Sequence, residues 1–469
     1  MNNGTKVARG MRTMRSIWAV AVNTIKHFVR MRIAPALIVL LVVLLPIMGL
    51  KVTGDETLKG RLQTFVSYGL SLTSLLLCLL TIVVSVYSVS SDFQHKQIYT
   101  VLTKPIRRFE LLLGKMLGVI LLDVVLLSLF ASMIYAITSY MPRFFDADPQ
   151  QRRQARDEFF TARAALKPPN VDVTEDVKQA YKKLAQSEHL RQMLEKTKKR
   201  QILAELGKQK QLEKRAAVPG RELVWEFEDV RPLDPNDALF VKFKYDVAVN
   251  PPDLKVAGKW LIGDIRQYGG PIKTPVYSFD RSDLIRTFHE IRVPAGAVAL
   301  DGYLAVAFFN DPHVNNTVVI FPLEDGLEVL YKADSFTANF VRAVIMIFCR
   351  LVFLASLGIL ASTFLSFPVA MLLCLLIFFT GTVSGFVLES FDYLSENMGT
   401  LYSLTVRPVV RLLPHFDKAN PTKFLVPARL LSWRLLAEVL GLMVCIKASL
   451  LTLFALLIFS RREIAKITV

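Results

Sequence analysis

The residues that could do chemistry are spaced too far apart to do it together. Gly114-Lys115 has no upstream glycine to complete GxxxxGK[ST], so no phosphate cradle is encoded. HExxH, GxSxG and a strand-turn-helix GxGxxG are absent, and the six histidines are scattered. The paired carboxylates Glu324-Asp325 precede Gly326 in a predicted turn. Cys78, Cys349, Cys374 and Cys445 all fall in apolar runs, without CxxC or Cys/His spacing. They read as small membrane-buried side chains and exclude a disulfide framework in the polar middle of the chain. The sequence therefore encodes no catalytic site, metal site or cofactor site of its own. What stands out instead is charge inside apolar runs: Asp123, Arg350, Glu438 and Lys447. Each costs roughly 2.5–3.5 kcal/mol at a helix centre in a bilayer, so each is expected to face the bundle or a wet cavity. There they line a substrate path or pair internally, and the sequence leaves both open.

The elements that must position these charges are transmembrane helices. The 469 residues are 52% hydrophobic with a net charge of +17, and the mean hydropathy is +0.39. Such apolar content indicates an integral membrane protein. Six runs can span a bilayer core of about 30 Å: Ile33–Leu50, Phe65–Val89, Met116–Met141, Phe340–Leu365, Val369–Leu388 and Leu435–Phe459. Gly381 and Gly385 in the fifth run form GxxxG, which permits close helix contact within one subunit or across a dimer. Residues 1–32 carry seven Lys and Arg interleaved with Trp18, Val20, Ile25 and Phe28. They read as an amphipathic helix on the inner membrane surface, not as a cleavable signal peptide. Basic residues in this lead, in the loop at 90–115 and in the tail at 461–469 place both termini in the cytoplasm by the positive-inside rule. The apolar blocks at 33–141 and 340–460 are then the membrane portions, and 142–339 lies outside.

The outer region has two predicted parts. Residues 150–217 are rich in Lys, Arg, Glu, Gln and Ala with helical apolar spacing, which suggests a helical hairpin. The basic run Lys196–Arg200 reads as a solvated face, with anionic lipid or polymer as the alternative and nucleic acid a poor one. Residues 221–330 alternate apolar with polar between Pro, Gly, Asn and Asp punctuation, the pattern of an antiparallel β-sandwich or jelly roll. The expected fold class is thus an α-helical membrane protein of six spans with an extracytoplasmic α+β domain. A sandwich of this kind can bind a glycan or a partner protein, or simply dock.

The loop between the second and third runs, HKQIYTVLTKPIRRFELLLGK, is the most informative stretch. Ile98, Val101 and Leu102 share one face of a short helix, Pro105 ends it, and Arg107, Arg108 and Lys115 lead into the third span. An apolar helix face held between two spans is a handle for another protein. With Asp92, Leu102, Lys104-Pro105, Arg107 and Gly114-Lys115 in order, the loop resembles that of ABC-2 type transporter permeases, most of all the nitrous-oxide-reductase maturation and gliding-motility kind. Two departures are Lys96-Gln97 in place of the usual Gly-Thr and Asp92 in place of Glu. The resemblance extends to the six-span plan and to RLLPHFDKANP, Arg411–Pro421, a partly re-entrant outer segment within 390–431; it does not cover the outer domain.

The resemblance implies a permease in a bacterial inner membrane that dimerises with a second copy or a sister chain. A separate subunit would bind ATP and Mg and dock on Asp92, Ile98, Val101, Leu102, Pro105, Arg107 and Arg108. An apolar or amphiphilic cargo would be exported. Two other classes compete: a membrane-anchored sensor or scaffold with the sandwich as receptor, and a secondary transporter, which needs coupling-ion carboxylates and usually more spans.

Overall fold

The computed structural model describes the chain except residues 1, 31–32, 95–106, 187–198, 268–273, 405–413, 418–419 and 462–469. It divides into two compact units, Met1–Phe160 with Phe336–Val469, and Thr161–Ser335. In chain order the first unit supplies α1 (Asn2–Arg30), α2 (Ile33–Lys51), α3 (Leu58–Gln94), α4 (Arg108–Phe144) and α5 (Pro149–Glu158). The second supplies β1 (Thr161–Leu166), α6 (Thr174–Gln186), α7 (Lys199–Lys214), β2 (Ala216–Ala217), β3 (Glu222–Phe227), β4 (Ala238–Phe243), β5 (Asp246–Val247), β6 (Lys255–Gly263), β7 (Tyr277–Leu284), β8 (His289–Pro294), β9 (Leu304–Phe309), β10 (Val319–Ile320) and β11 (Leu327–Ser335). The first unit resumes with α8 (Phe336–Phe364), α9 (Phe367–Leu404), α10 (Thr422–Leu425) and α11 (Trp433–Val439), then a π-helical stretch Leu440–Ala448 and α12 (Ser449–Arg461).

Among the described residues, five helices are long and apolar enough to cross a membrane, six if α1 and α2 count as one bent span. The helices form because leucine, isoleucine, valine and phenylalanine run on almost unbroken, and in lipid only a helix satisfies its own backbone. At 1.5 Å per residue the 37 residues of α3 extend about 55 Å, well beyond a hydrocarbon core of about 30 Å. Phe65, Val66, Leu77 and Ile82 of α3 share one core with Leu41 and Leu45 of α2, Phe130 and Ile134 of α4, and Ile347 and Leu354 of α8.

The second unit contains two four-stranded sheets, ordered β1-β11-β4-β8 and β3-β9-β6-β7, and a small sheet β2-β10-β5. All the paired strands run antiparallel. Strict alternation on β3 turns Leu223, Trp225 and Phe227 inward. The two larger sheets contribute to a single core around Phe243, Trp260 and Phe308, with the Phe243 and Trp260 rings 4.3 Å apart. The Tyr245 hydroxyl lies in that core within reach of the Asp283 (3.0 Å) and Val256 (3.2 Å) carbonyls. Each such ring adds about 1.5–3 kcal/mol of burial.

One assignment changes. The stretch TARAAL lies inside 150–217, read from sequence as helical, yet it forms β1 at the edge of the first sheet, paired with Val329–Ser335. Its alanines and leucine favour a helix in isolation, and a partner far away in sequence overrides that preference. The fragment Thr161–Ser335 is therefore expected to fold alone, with clear β-type circular dichroism, one cooperative melt and no response to reductant. Arg221–Leu330 lacks β1, β2 and half of β11, and should melt lower and less cooperatively. Indistinguishable melts for the two fragments would remove β1 from the core account.

Candidate functional site

The described residues converge where α3 ends and α4 begins. Ile98, Val101, Leu102 and Pro105 lie outside the described residues, but the base that carries them is defined. Asp92, on the last turns of α3, pairs with Lys115 of α4 at 2.5 Å, both side chains being largely buried. Lys115 also donates to the Ser88 carbonyl. The acid and the lysine of the loop motif thus form one brace beneath it. On the α4 side, the Arg107 backbone N–H donates to Glu110 at 3.3 Å, fixing the first turn. The Arg108 guanidinium donates to the Ser460 carbonyl of α12 at 2.9 Å. Arg108 therefore ties the last span to the loop base, while Arg107 is exposed.

Gly114 has a second consequence. A Cβ there would lie 2.6 Å from the Val20 Cβ and 2.8 Å from the Ile17 carbonyl, and one on Gly118 would lie 2.8 Å from the Ala21 carbonyl. Gly114 and Gly118 are a turn apart on one face of α4, and α1 crosses them in backbone contact. The amphipathic lead therefore buries Ala21, Thr24 and Phe28, while Met14 and Trp18 stay exposed. The GxxxG in GKMLG was legible in the sequence and went unread.

The intramembrane charges separate into two groups. On α3, Ser74, Cys78, Thr81, Ser85, Ser88 and Asp92 follow a four-three alternation, so they share one face, and the first five are buried. This polar seam runs about 27 Å at 1.5 Å per residue, close to the width of a bilayer core. Asp123 meets it from α4: the Thr81 hydroxyl lies 2.8 Å from the Asp123 Oδ1 and 2.8 Å from the Leu77 carbonyl. Arg350 meets it from α8, donating to the Ser74 hydroxyl at 3.4 Å and to the Phe416 carbonyl at 3.0 Å. The two charges sit on one seam with different partners, and among the described residues no ion pair joins them. Sequence reading found Asp123 and Arg350 but missed the small polar residues that receive them. Glu438 is different: it is exposed and lies 3.5 Å from Arg434, four residues earlier. Lys447 is half-buried in the π-helical stretch.

Gly381 and Gly385 face the same chain. A Cβ on Gly381 would lie 2.7 Å from the Pro414 carbonyl and 2.9 Å from the Phe416 ring, and one on Gly385 would collide with Asp417. Pro414–Asp417, part of the stretch read as re-entrant, lies in that groove as a strap. The Phe416 N–H donates to the Gly381 carbonyl at 3.0 Å. The Phe416 ring is fully buried beside Phe353 and Phe378. In this chain both glycines of the GxxxG pack against the strap.

The β unit holds a separate feature. Arg266 reaches both Asp264 and Asp301 at 2.9 Å and lies over the Tyr303 ring. The guanidinium holds both carboxyls below their usual range, and burial pushes the Tyr303 hydroxyl up to about 12. Arg266, Asp264 and Asp301 border an open cleft of about 1100 Å³ lined also by Pro232, Pro235, Val298 and Leu300. Among the described residues no cluster of His, Cys, Asp or Glu could hold a metal.

Comparison with known proteins places this geometry. A family model described as ABC-2 family transporter protein matches residues 18–147. The match begins within α1 and ends just past α4, so it contains the brace, the Gly114–Gly118 contact and the loop between them. It supports a multi-pass membrane protein that is the permease component of an ABC transporter. No curated protein and no solved structure matches the chain.

Proposed function

We propose that the chain is the membrane-spanning subunit of an ATP-driven exporter, related to the nitrous-oxide-reductase maturation and gliding-motility permeases and working in a bacterial inner membrane. ATP and Mg belong to a separate subunit that docks on the loop at 95–106. The chain itself catalyses nothing: it converts closure of two ATPase subunits into movement of α3 and α4. The observation that carries this reading is the Asp92–Lys115 brace, set under the loop and inside the matched region. A loop fixed at its base by a largely buried ion pair transmits a push, whereas one hanging on exposed charges would absorb it.

Orientation is tested by labelling. In cells with an intact inner membrane made accessible from outside, a cysteine replacing Lys198 should react with an impermeant thiol reagent and one replacing Lys104 should not. The reverse pattern would put the loop on the wrong side for an ATPase.

The subunit works as a pair of identical copies. Val369, Leu372, Leu376, Phe379, Val383 and Phe386 of α9 are exposed and repeat in a three-four alternation. Such a seam fits another helix crossing at a shallow angle. Leu376→Cys should therefore give a disulfide-linked dimer under mild oxidation in membranes, while Leu450→Cys on α12 should not. Equal cross-linking at both positions would mean random collision.

A further inference from the structure

We propose that the open cleft of the β unit is a docking site for a partner protein, which seats an uncharged aromatic side chain flat on the Arg266 guanidinium. This site stands whether or not an ATPase drives the chain.

The connections β3–β4, β6–β7 and β8–β9 supply the residues that line the cleft. Strand pairing brings them to one end of the unit: Phe227 lies opposite Leu304, Ala238 opposite Pro294 and Gly263 opposite Ala305. Hydrogen bonds fix the walls. The Val230 N–H donates to the Gly302 carbonyl and the Ala295 N–H to the Asp237 carbonyl, both at 2.9 Å. Gly302, at φ +82°, takes the left-handed turn between these walls where a side chain would strain the backbone. A cleft formed in advance costs little ordering on binding.

Arg266 is set in it as a platform and not as a hook. It makes four hydrogen bonds to Asp264 and Asp301, at 2.9 to 3.2 Å, of the five that a guanidinium can donate. One face lies 3.7 Å from the centroid of the Tyr303 ring, whose hydroxyl donates to Glu226 at 2.8 Å. Tyr303 does not line the cleft, whereas Arg266 does, with its side chain 47% exposed. The face turned away from Tyr303 is therefore the one presented. With its edge donors occupied, and two carboxylates to one cation, this cluster offers an anion little. A guanidinium face still stacks on an aromatic ring.

The surroundings favour a protein as the occupant. Pro232, Pro235, Val298 and Leu300 line the cleft, and the Leu300 side chain is fully exposed. An exposed leucine beside prolines gives the β unit alone nothing, and such a patch around an arginine has the make-up of a protein interface. A small ligand is usually enclosed over most of its surface, which an open cleft does not provide. A chain segment lying across it needs only to cover it.

The test uses the full chain in phosphatidylcholine nanodiscs, with empty discs as the blank and saturation-transfer NMR of the probe as the readout. The probes are N-acetyltryptophanamide, the acid N-acetyltryptophan, N-acetylleucinamide and the tripeptide N-acetyl-Ala-Trp-Val-amide. The tryptophanamide should bind saturably, the acid severalfold more weakly and the leucinamide not at all, while the tripeptide binds severalfold tighter. Arg266→Lys keeps the charge and loses the flat face. It should weaken the tryptophanamide about two- to fivefold, the range of an exposed cation–π contact. Leu300→Asn changes a side chain too exposed to support the fold, and should weaken the tripeptide. Asp301→Asn releases edge donors of Arg266, so the acid should then bind tighter than the amide. Absence of saturable binding, an acid that binds tighter in the parent, or unchanged affinities in both Arg266→Lys and Leu300→Asn overturns the proposal. A tripeptide no tighter than the single residue would leave a pocket for small ring compounds and overturn the docking of a protein.

Discussion

Leu102→Asp is expected to abolish ATP hydrolysis recovered with the purified protein, while membrane insertion and dimerisation persist. Leu102 shares its predicted helix face with Ile98 and Val101, and the proposed function makes that face the handle for the ATPase. Burying a leucine contributes about 1.5–3 kcal/mol, and an unpaired carboxylate in its place costs more. The combined effect exceeds the margin of an interface that must also release during a cycle. Arg107→Ala is the control. Arg107 is exposed at the foot of α4, and a solvated charge contributes about 0–1 kcal/mol, so this variant should keep most of the partner and its activity. The measurement is ATP hydrolysis per mole of permease after gentle detergent purification with the co-expressed partner. Full hydrolysis in Leu102→Asp would reduce the segment to an interfacial anchor and leave the driven-permease reading on family resemblance alone.

The membrane half of the fold was legible because lipid leaves the backbone few options. Long apolar runs became helices, close to their expected ends for Ile33–Lys51 and Trp433–Arg461, whereas α9 runs on from the expected Leu388 to Leu404. The β unit was legible where alternation was strict, as on β3, and not on β1, whose residues take their conformation from β11. The candidate site was read one residue at a time. Asp92 and Lys115 were both noted, but their pairing was not, because 23 positions of chain separate them and only the return of α4 along α3 brings them together. The polar seam on α3 was passed over because serine and threonine hide well in hydropathy averages. Their periodicity carries the signal: 74, 78, 81, 85, 88 and 92 are the spacing of one helical face. Glu438 shows the opposite error, a charge ranked with the interior that lies outward beside Arg434.

The pairing of Asp92 with Lys115 separates support of the fold from transmission of force. Lys115→Met leaves the Asp92 carboxylate largely buried without its cation, and removing one partner of a buried pair costs about 3–5 kcal/mol. The purified variant should melt well below the parent and express poorly. Adding Asp92→Leu removes the stranded charge, and apolar replacement of a whole buried pair is often neutral or stabilising. The double variant should therefore recover most of the lost melting temperature, and the double-mutant cycle should return an interaction energy of about 2–3 kcal/mol. Function should not recover with it. The brace also ties α4 to the Ser88 carbonyl on α3 through the lysine, and methionine cannot donate that hydrogen bond. ATP hydrolysis stimulated by the permease should stay several-fold down in the double variant at parental stability. If hydrolysis returns together with the melting temperature, the pair only holds two helices together, and the push from the loop travels by another route.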